Sequence, residues 1–332
     1  MSASILTSRG QVLQATLYDA SGHDREVDVS KELVDGLTDS HLLWIDVEGG
    51  ISDVKSLETL LDLPGRVLER VTDLQRPPYL DNYTGFHAYA VDAPDEKDGK
   101  GRAGVQLGFV VGDRFLLTVH NGPVPYLTEF KAQDKGETLI GRLSPALLAA
   151  SLLDWHLTQY FAAVADIGAA ADDLDATILA EGMERDVLDR IVSIRGEVSR
   201  LRRQLATQRP IFYGFARSDF ALNFDDTARA TYLKLAQRYD RAIDEVEHSR
   251  EVVVGSFDLF TSITTHQTNK LVKALTFLTA LIGFCGLVAA LLGMNFDFQF
   301  LHTGIQGFSV VVALMLVLSI AGLIFAKWRR WL

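Results

Sequence analysis

Two uncharged apolar stretches near the C-terminus constrain this 332-residue chain more than any other feature. The first runs from Ala274 to Phe296, and the second runs from Thr303 to Ala326. A helix needs roughly 20 apolar residues to cross the hydrocarbon core of a bilayer, so each stretch is long enough to span a membrane once. The sequence therefore predicts a helical hairpin in the membrane, joined by a short loop.

The basic residues around the hairpin predict its orientation. Lys270 and Lys273 precede the first stretch, and Lys327, Arg329 and Arg330 follow the second, whereas the loop between the stretches contains no Lys or Arg. Because Lys and Arg in short flanking segments favour the cytoplasmic side, both termini are expected inside and the loop outside.

The residues before the hairpin are expected to form a cytoplasmic body. The N-terminal residues lack the basic and then apolar pattern of a signal peptide. Of the 43 acidic residues all but one lie before Ala274, together with 29 of the 32 basic residues. This acidic balance disfavours nucleic-acid binding and raises the local concentration of cations. A single cysteine, Cys285, excludes an intrachain disulfide and a CxxC metal site.

Strand-like segments separated by turn residues predict an α/β lobe with a mixed sheet in the N-terminal part. Two segments between them, Val54–Leu61 and Gly65–Leu74, have helical spacing. A two-residue turn at Gly112-Asp113 is expected to join the last two strands. The predicted strands are Val12–Tyr18, Leu42–Val47, Phe86–Val91, Val105–Val111 and Phe115–His120.

From Ser144 onward the pattern changes to long helices. Ser144 and Pro145 suit the N-cap and the first turn of a helix that extends to Glu181. A second helix is predicted from Arg185, ending at Arg209-Pro210, because proline disfavours a helix interior. The short connection between the two helices predicts antiparallel packing.

A third helical pattern begins near Asp225-Asp226, where two carboxylates suit a helix N-terminus. It continues without a proline into the first apolar stretch, which predicts one helix of about 68 residues, or roughly 100 Å at 1.5 Å per residue. The sequence thus divides into a cytoplasmic α/β domain over 1–140, a helical hairpin over 141–223, a stalk helix continuing into the first span over 224–292, an outer loop over 293–303, a second span over 304–326 and a basic tail over 327–332.

One side of the first span is small or polar along its whole length, and we call it the small-residue stripe. Its members are Asn269, Val272, Thr276, Thr279, Gly283, Gly286 and Ala290. Two interpretations stay open: the stripe lines an aqueous path between several copies of the chain, or it is a close helix-packing seam. The Asn and Thr side chains favour the first. Three turns towards the cytoplasm, the same face carries Asp258, either a carboxylate at an inner mouth or a solvated helix position.

No motif in the sequence supports an enzyme. Walker loops, GxSxG, HExxH and dinucleotide-binding glycine turns do not occur at a strand-to-helix junction. We therefore expect no catalytic residues and no cofactor.

Several motifs together resemble the CorA metal-ion transporter family. The loop begins with Gly293-Met294-Asn295-Phe296, and the approach to the first span, Asn269–Thr276, is similar to the family signature with Val272 at a Met position. Further similar segments are Leu43-Trp44-Ile45-Asp46, Leu116-Leu117-Thr118-Val119 and Trp331-Leu332. The resemblance covers essentially the whole chain.

The resemblance implies a homopentamer in a bacterial inner membrane, in contact with lipid, with a funnel of long helices and a pore lined by the first spans. It implies that Gly293, Met294 and Asn295 form the selectivity filter, with Asn295 holding a hydrated ion. The implied inner gate consists of Asn269, Val272 and Leu275, and Asp258 lies near the funnel mouth. Because Mg²⁺ dehydrates reluctantly, neutral amide oxygens suit a hydrated ion.

The loop after Asn295 departs from the magnesium-transporting pattern. It lacks the Met-Pro-Glu sequence of typical members, and the glycine-rich loop of the ZntB branch is also missing. Asp297 is a candidate outer carboxylate. His302 is a candidate zinc ligand or proton-sensitive group, with a solvated loop residue as the alternative. The transported substrate that the resemblance implies is a divalent cation, which is also a possible regulator. The loop slightly favours Zn²⁺ over Mg²⁺, Co²⁺ and Ni²⁺ as the transported ion. A membrane-tethered scaffold or sensor that conducts no ions stays open as the alternative function.

Overall fold

A computed structural model of the chain describes residues 5–7, 11–49, 54–73, 76–94, 105–133, 140–181, 185–221, 224–293 and 304–328. The chain forms two compact units. One comprises Met1–Asp173 with Asp189–Val254, and the other comprises Leu174–Leu188 with Gly255–Leu332.

The first unit contains a mixed sheet of eight strands. They are β1 (Ile5–Thr7), β2 (Gln11–Asp19), β3 (Arg25–Glu26), β4 (His41–Glu48), β5 (Tyr79–Tyr83), β6 (Phe86–Asp92), β7 (Gln106–Gly112) and β8 (Phe115–His120). Their order is β1-β2-β4-β8-β7-β6-β5, with β3 paired to β2 outside this path. Strands β4 and β8 run parallel, and the other pairs described are antiparallel.

All five predicted strands are present, and the turn between the last two lies one residue later than predicted. Gly112 pairs with Phe86 in the β6–β7 ladder, so it belongs to the strand. The turn therefore consists of Asp113 and Arg114, and the Arg114 carbonyl accepts a hydrogen bond of 3.0 Å from the Leu43 amide. Strands β1, β3 and β5 were not predicted.

Helices α1 (Lys31–Asp35), α2 (Val54–Leu61) and α3 (Gly65–Thr72) pack against one face of this sheet. Successive side chains of a strand point to opposite faces of the sheet. Alternate positions of the strands therefore supply the core on this face. The next two helices in the chain, α4 (Pro125–Gln133) and α5 (Pro145–Glu181), belong to a second helix layer. The core beneath α1 to α3 includes Leu43, Ile45, Val47, Leu57, Leu68, Val71, Leu117 and Val119.

Helices α5 and α6 (Arg185–Gly214) form the predicted antiparallel hairpin. Ser144 caps α5, since its hydroxyl accepts a 3.3 Å hydrogen bond from the Leu147 amide. The antiparallel direction follows from contacts at both ends: Arg190 pairs with Asp173 at 2.6 Å, and residues 156 and 208 are hydrogen-bonded.

The predicted end of the second helix at Arg209-Pro210 is wrong, because α6 continues through Pro210 to Gly214. Proline removes one helical hydrogen bond, but the residues that follow it are buried. Ile211 and Phe212 are fully buried, and the Phe212 ring stacks on Tyr239 with centroids 4.6 Å apart. Burial of these large apolar side chains offsets the missing hydrogen bond.

A buried polar network joins α5 and α6 to the sheet. The Gln208 side-chain amide donates to the Asp92 carbonyl at 3.0 Å and to the Tyr160 hydroxyl at 2.9 Å. Its oxygen lies 2.8 Å from Nε2 of His156, which must therefore carry the proton. Burial lowers the pKa of His156 to about 4, although the Gln208 hydrogen bond opposes this effect. The imidazole is thus neutral and fixed in one tautomer.

After the short helix α7 (Ser218–Ala221), the chain enters α8 (Asp226–Leu292) and then α9 (Gly304–Trp328). Asp225 caps α8, since its carboxylate accepts a 2.6 Å hydrogen bond from the Ala228 amide. Helix α8 is the single long helix that the sequence predicts. Both α8 and α9 contain windows long and apolar enough to cross a membrane, with mean hydropathies of 2.3 and 2.8.

The predicted fold class is confirmed: an α/β lobe is followed by long helices and by two C-terminal apolar helices. The domain boundaries given above stay a prediction.

Replacing Gln208 with Leu tests the buried network. The change leaves the buried His156 N–H without its partner, which costs about 2 kcal/mol, whereas the Asp92 carbonyl still accepts a 2.7 Å hydrogen bond from the Tyr160 hydroxyl. We expect the apparent melting temperature of the detergent-solubilised protein to fall by roughly 5 °C. Thr207→Ala is the matched control, because Thr207 is the adjacent residue of α6 and is exposed. If Gln208→Leu has the same apparent melting temperature as the wild type, the network does not have this stabilising role.

Candidate functional site

The two apolar helices pack against each other along one row of residues on α9. This row, which we call the α9 seam, recurs every three or four positions, so it lies on one helix face. Its neighbours on both sides are exposed, whereas its members are half-buried or, at Ala326, fully buried. The α9 seam consists of Gly307, Val311, Met315, Ser319, Gly322 and Ala326.

Close contacts define the side of α8 that meets this seam. A Cβ placed on Gly322 would lie 3.5 Å from the Phe277 ring and 3.6 Å from Leu281. Further along, Sγ of Cys285 lies 3.6 Å from the Ser319 hydroxyl. These contact residues and the half-buried positions next to them form one face of α8, which consists of Ala274, Phe277, Leu281, Cys285 and Val288.

The small-residue stripe lies on the opposite side of α8. At 3.6 residues per turn, its mean direction is about 180° from that of the side packed on α9. All seven members of the stripe are exposed, from Asn269 to Ala290. Within one chain the stripe is therefore not the seam between the two apolar helices, and it is available to water or to another molecule.

The glycines of the stripe have no role in packing the described chain. A Cβ added to Gly283 or Gly286 would meet no atom within 4 Å, unlike one added to Gly322. Glycine lowers helix propensity by about 1 kcal/mol relative to alanine. Two glycines in open positions are thus unfavourable for the isolated helix, and no contact within the described residues explains them.

Hydroxyl groups on the stripe side bond to their own helix. The Thr279 hydroxyl donates to the Leu275 carbonyl at 2.8 Å, and Thr265 donates to Thr261 at the same distance. These bonds satisfy the hydroxyl protons and leave oxygen lone pairs on the exposed side. The polar groups of the stripe are therefore tolerable in an apolar environment and available as acceptors in an aqueous one.

The structure places the other predicted site residues as follows. Val272, Leu275 and Asp258 are exposed on α8, and Thr276 is exposed beside them. Gly293 follows the helix, and its amide donates to the Ala289 carbonyl at 2.9 Å. Four predicted residues lie outside the described residues: Met294, Asn295, Asp297 and His302. The assignments of filter, gate and inner ring therefore stay predictions.

The α9 seam was not among the predicted residues, although its spacing is visible in the sequence. Ser319, Gly322 and Ala326 are small residues at intervals of three and four, the pattern typical of close packing between membrane helices. In the described part of the chain, no group of three His, Cys, Asp or Glu residues has the geometry to hold a metal ion.

Two relatives with similar sequences are named as metal-ion transport proteins. A cobalt/magnesium transport protein CorA of Methanocaldococcus jannaschii is 24% identical over 309 residues, which covers 89% of this chain and 92% of the relative. A putative metal ion transporter of Bacillus subtilis, YfjQ, is 20% identical over 258 residues, covering 78% of this chain and 79% of the relative.

Solved structures show the same fold. The complete CorA magnesium transporter of M. jannaschii superposes with a TM-score of 0.76 at 21% identity, covering 96% of this chain and 98% of that one. The ZntB cytoplasmic domain of Vibrio parahaemolyticus has a TM-score of 0.58 at 11% identity, covering 77% of this chain and 98% of that domain. Residues 39–330 match the family described as CorA-like Mg²⁺ transporter protein. With its α/β lobe, long helices and C-terminal apolar hairpin, the chain belongs to the CorA-like Mg²⁺ transporter family.

Proposed function

We propose that this chain transports divalent metal cations across a membrane, along a path lined by the small-residue stripe of α8. The observation that carries the proposal is the position of the stripe. It is exposed along its whole length, on the side of α8 opposite the α9 seam. Family membership and the names of the relatives, which include cobalt/magnesium transport protein CorA, support the same function.

The path requires several copies of the chain, since one pair of apolar helices cannot enclose water. If α9 lies outside and α8 lies inside, the stripes of all copies face a common axis. We propose a homopentamer, the assembly that the family resemblance implies. The exposed Val272 and Leu275 side chains would form a hydrophobic constriction that closes by dewetting, and the Asp258 carboxylates would concentrate cations at the inner mouth.

The proposed selectivity filter is Gly293-Met294-Asn295. A ring of Asn295 amides presents neutral oxygens that accept hydrogen bonds from the water shell of a divalent cation. Mg²⁺ loses that shell reluctantly, so a filter of this kind passes a hydrated ion without removing its water. Selection then depends on the size of the hydrated ion.

Among the divalent cations we favour Zn²⁺ slightly, with Mg²⁺, Co²⁺ and Ni²⁺ as the other candidates. The loop after Asn295 lacks Met-Pro-Glu, and it carries Asp297 and His302, which are suitable zinc ligands. Structural similarity to a ZntB domain is compatible with this choice, although that similarity concerns the fold. A divalent cation is also a possible regulator of the cytoplasmic part.

For the membrane, we propose a bacterial inner membrane with both termini in the cytoplasm. The basic residues on both outer flanks of the hairpin support this orientation, because Lys270 and Lys273 lie on one side of it and Lys327 on the other. The loop with Asn295 would then face the periplasm.

Replacing Asn295 with Ala tests the filter. We expect Zn²⁺ uptake into proteoliposomes to fall by at least roughly tenfold, which corresponds to a loss of about 1.4 kcal/mol of ion stabilisation. Gln306→Ala is the matched control, because Gln306 also bears an amide but lies on α9. Uptake of Mg²⁺, Co²⁺ and Ni²⁺ into the same vesicles is measured with and without a pH gradient. This comparison identifies the transported ion and shows whether its transport is coupled to protons. Unchanged fluxes of all four ions in Asn295→Ala would show that Asn295 is not the filter.

Cysteine accessibility tests whether the stripe faces water. In a Cys285→Ser background, which has no other thiol, Thr279→Cys and Gly283→Cys should react with a charged, membrane-impermeant thiol reagent. Val317→Cys, exposed on α9 away from the α9 seam, should remain unmodified because it faces lipid. Equal protection of the stripe cysteines and of Val317→Cys would contradict an aqueous path.

The second candidate is a scaffold or sensor that conducts no ions, in which the stripe packs tightly between copies. Gly283 and Gly286 favour it, since small residues allow close approach of membrane helices. Under this reading Gly283→Leu lowers the oligomer fraction in native mass spectrometry, with no ion flux to lose. Gly322→Leu is the comparison, because it disturbs the α8–α9 contact within one chain. If Gly283→Leu assembles normally but blocks flux, the scaffold hypothesis is wrong.

A further inference from the structure

A cleft in the α/β lobe contains charged groups that the proposed transport path does not use. It lies between α4 and the ends of strands β4 and β8, far along the sequence from the apolar hairpin. Polar side chains dominate the wall on the sheet side, where neighbouring strands carry them at paired positions. The cleft is lined by Gln14, Asp46, Glu48, His120, Pro123 and Lys131, among others.

Asp46 is the buried centre of this cleft. It accepts hydrogen bonds from the Thr118 hydroxyl and, at 2.5 Å, from the Lys131 ammonium of α4. Lys131 also donates to Gln14 at 2.9 Å and lies over the Trp44 ring. The carboxylate is 7% exposed, so these partners replace water.

The remaining neighbour of the Asp46 carboxylate is His120, whose Nε2 lies 3.4 Å from both carboxylate oxygens. Its other nitrogen, Nδ1, lies 2.6 Å from the Gly122 carbonyl. A carbonyl can only accept, so Nδ1 carries a proton in either charge state. The proton that is lost when the imidazolium becomes neutral is therefore the one on Nε2. Without it, the lone pair of Nε2 faces a buried carboxylate, which is a repulsive arrangement.

The charges around His120 favour its protonated form. Burial lowers the pKa of His120, but the hydrogen bond and charge of Asp46, together with the nearby Glu48, more than offset this effect and raise it. For Asp46, burial raises the pKa, and His120 and Lys131 reverse the shift and lower it to about 2. Across the cleft, the lining also includes Tyr18, Asp24, Arg25 and Glu26. Asp46 thus remains ionised over the pH range in which the raised pKa of His120 lies.

The His120 side chain also contacts the turn that precedes α4, because its Nδ1 donates to the Gly122 carbonyl at 2.6 Å. The His120 backbone is fixed, because its carbonyl accepts a 2.9 Å hydrogen bond from the Gly49 amide. If the imidazole turns away from Asp46, the Gly122 carbonyl loses its donor. Pro123 and Val124, which follow directly, form one wall of the cleft. The affected segment is therefore the connection between β8 and α4.

We propose that His120 is a proton-sensitive latch that holds the Asn121–Val124 wall of this cleft in place when Nε2 is protonated. The inference is independent of the proposed transport function. Because the folded state favours the proton, the latch contributes stability below the unfolded pKa of His and loses it as the pH rises through the folded pKa. The Asn121–Val124 wall is then released from His120 as the surrounding solution becomes more alkaline.

Hydrogen–deuterium exchange of the full-length protein tests this proposal. After correction for intrinsic exchange rates, peptides covering 121–128 should exchange roughly tenfold faster at alkaline than at acidic pH, the effect of losing one charge-assisted hydrogen bond. His120→Gln places a non-titrating amide N–H near the position of Nε2, so its exchange should not depend on pH. Asp46→Asn should also remove the pH dependence.

His23→Gln is the control variant, because His23 is exposed and lies outside the lining of the cleft. In His23→Gln, exchange of the 121–128 peptides should depend on pH as it does in the wild type. Exchange measures the wall directly, so the result does not depend on whether the protein transports cations. If wild type and His120→Gln show the same exchange at every pH, the latch does not exist. If Asp46→Asn fails to fold, the comparison of His120→Gln with the wild type still shows whether the pH dependence of exchange comes from His120.

Discussion

The contact between α8 and α9 is the constraint on which the membrane part of this protein depends. Two apolar helices in a bilayer gain little from the hydrophobic effect, so they associate through close packing. Here the large side chains Phe277 and Leu281 of α8 fill the space above Gly322 of α9. This arrangement uses the bulky side of α8 within one chain and leaves its small, polar side uncovered. The orientation of the candidate conducting face is thus a consequence of the intrachain contact.

Much of the cytoplasmic fold could be predicted because its local signals agree with its tertiary contacts. The Ser144 and Asp225 caps begin helices where the sequence indicates, and five strands have apolar runs that match their burial. Strand β5 was missed because Asp81 and Asn82 are uncommon in strands, and it lies at the sheet edge. Two further errors have a tertiary origin, since pairing with Phe86 holds Gly112 in β7 and burial of Phe212 extends α6 past Pro210.

The candidate site was predictable to a different degree on its two helices. On α8, polar and small residues recur at helical spacing among large apolar ones, so the sequence itself distinguishes the two sides. Helix α9 is apolar all round, and only side-chain size marks its packed face. The cleft around Asp46 could not be predicted, because its partners come from three distant segments and meet only when β4, β8 and α4 are assembled.

The hydroxyl groups of Thr265 and Thr279 have a chemical consequence for any water-filled passage along α8. Each proton is engaged by a backbone carbonyl of the preceding turn, so the oxygen offers electron pairs outward. Water molecules around a cation direct their hydrogens away from the ion, whereas those around an anion direct oxygen outward. A surface of this polarity is complementary to the hydration layer of a positive ion, and it discriminates by charge sign without a single fixed charge.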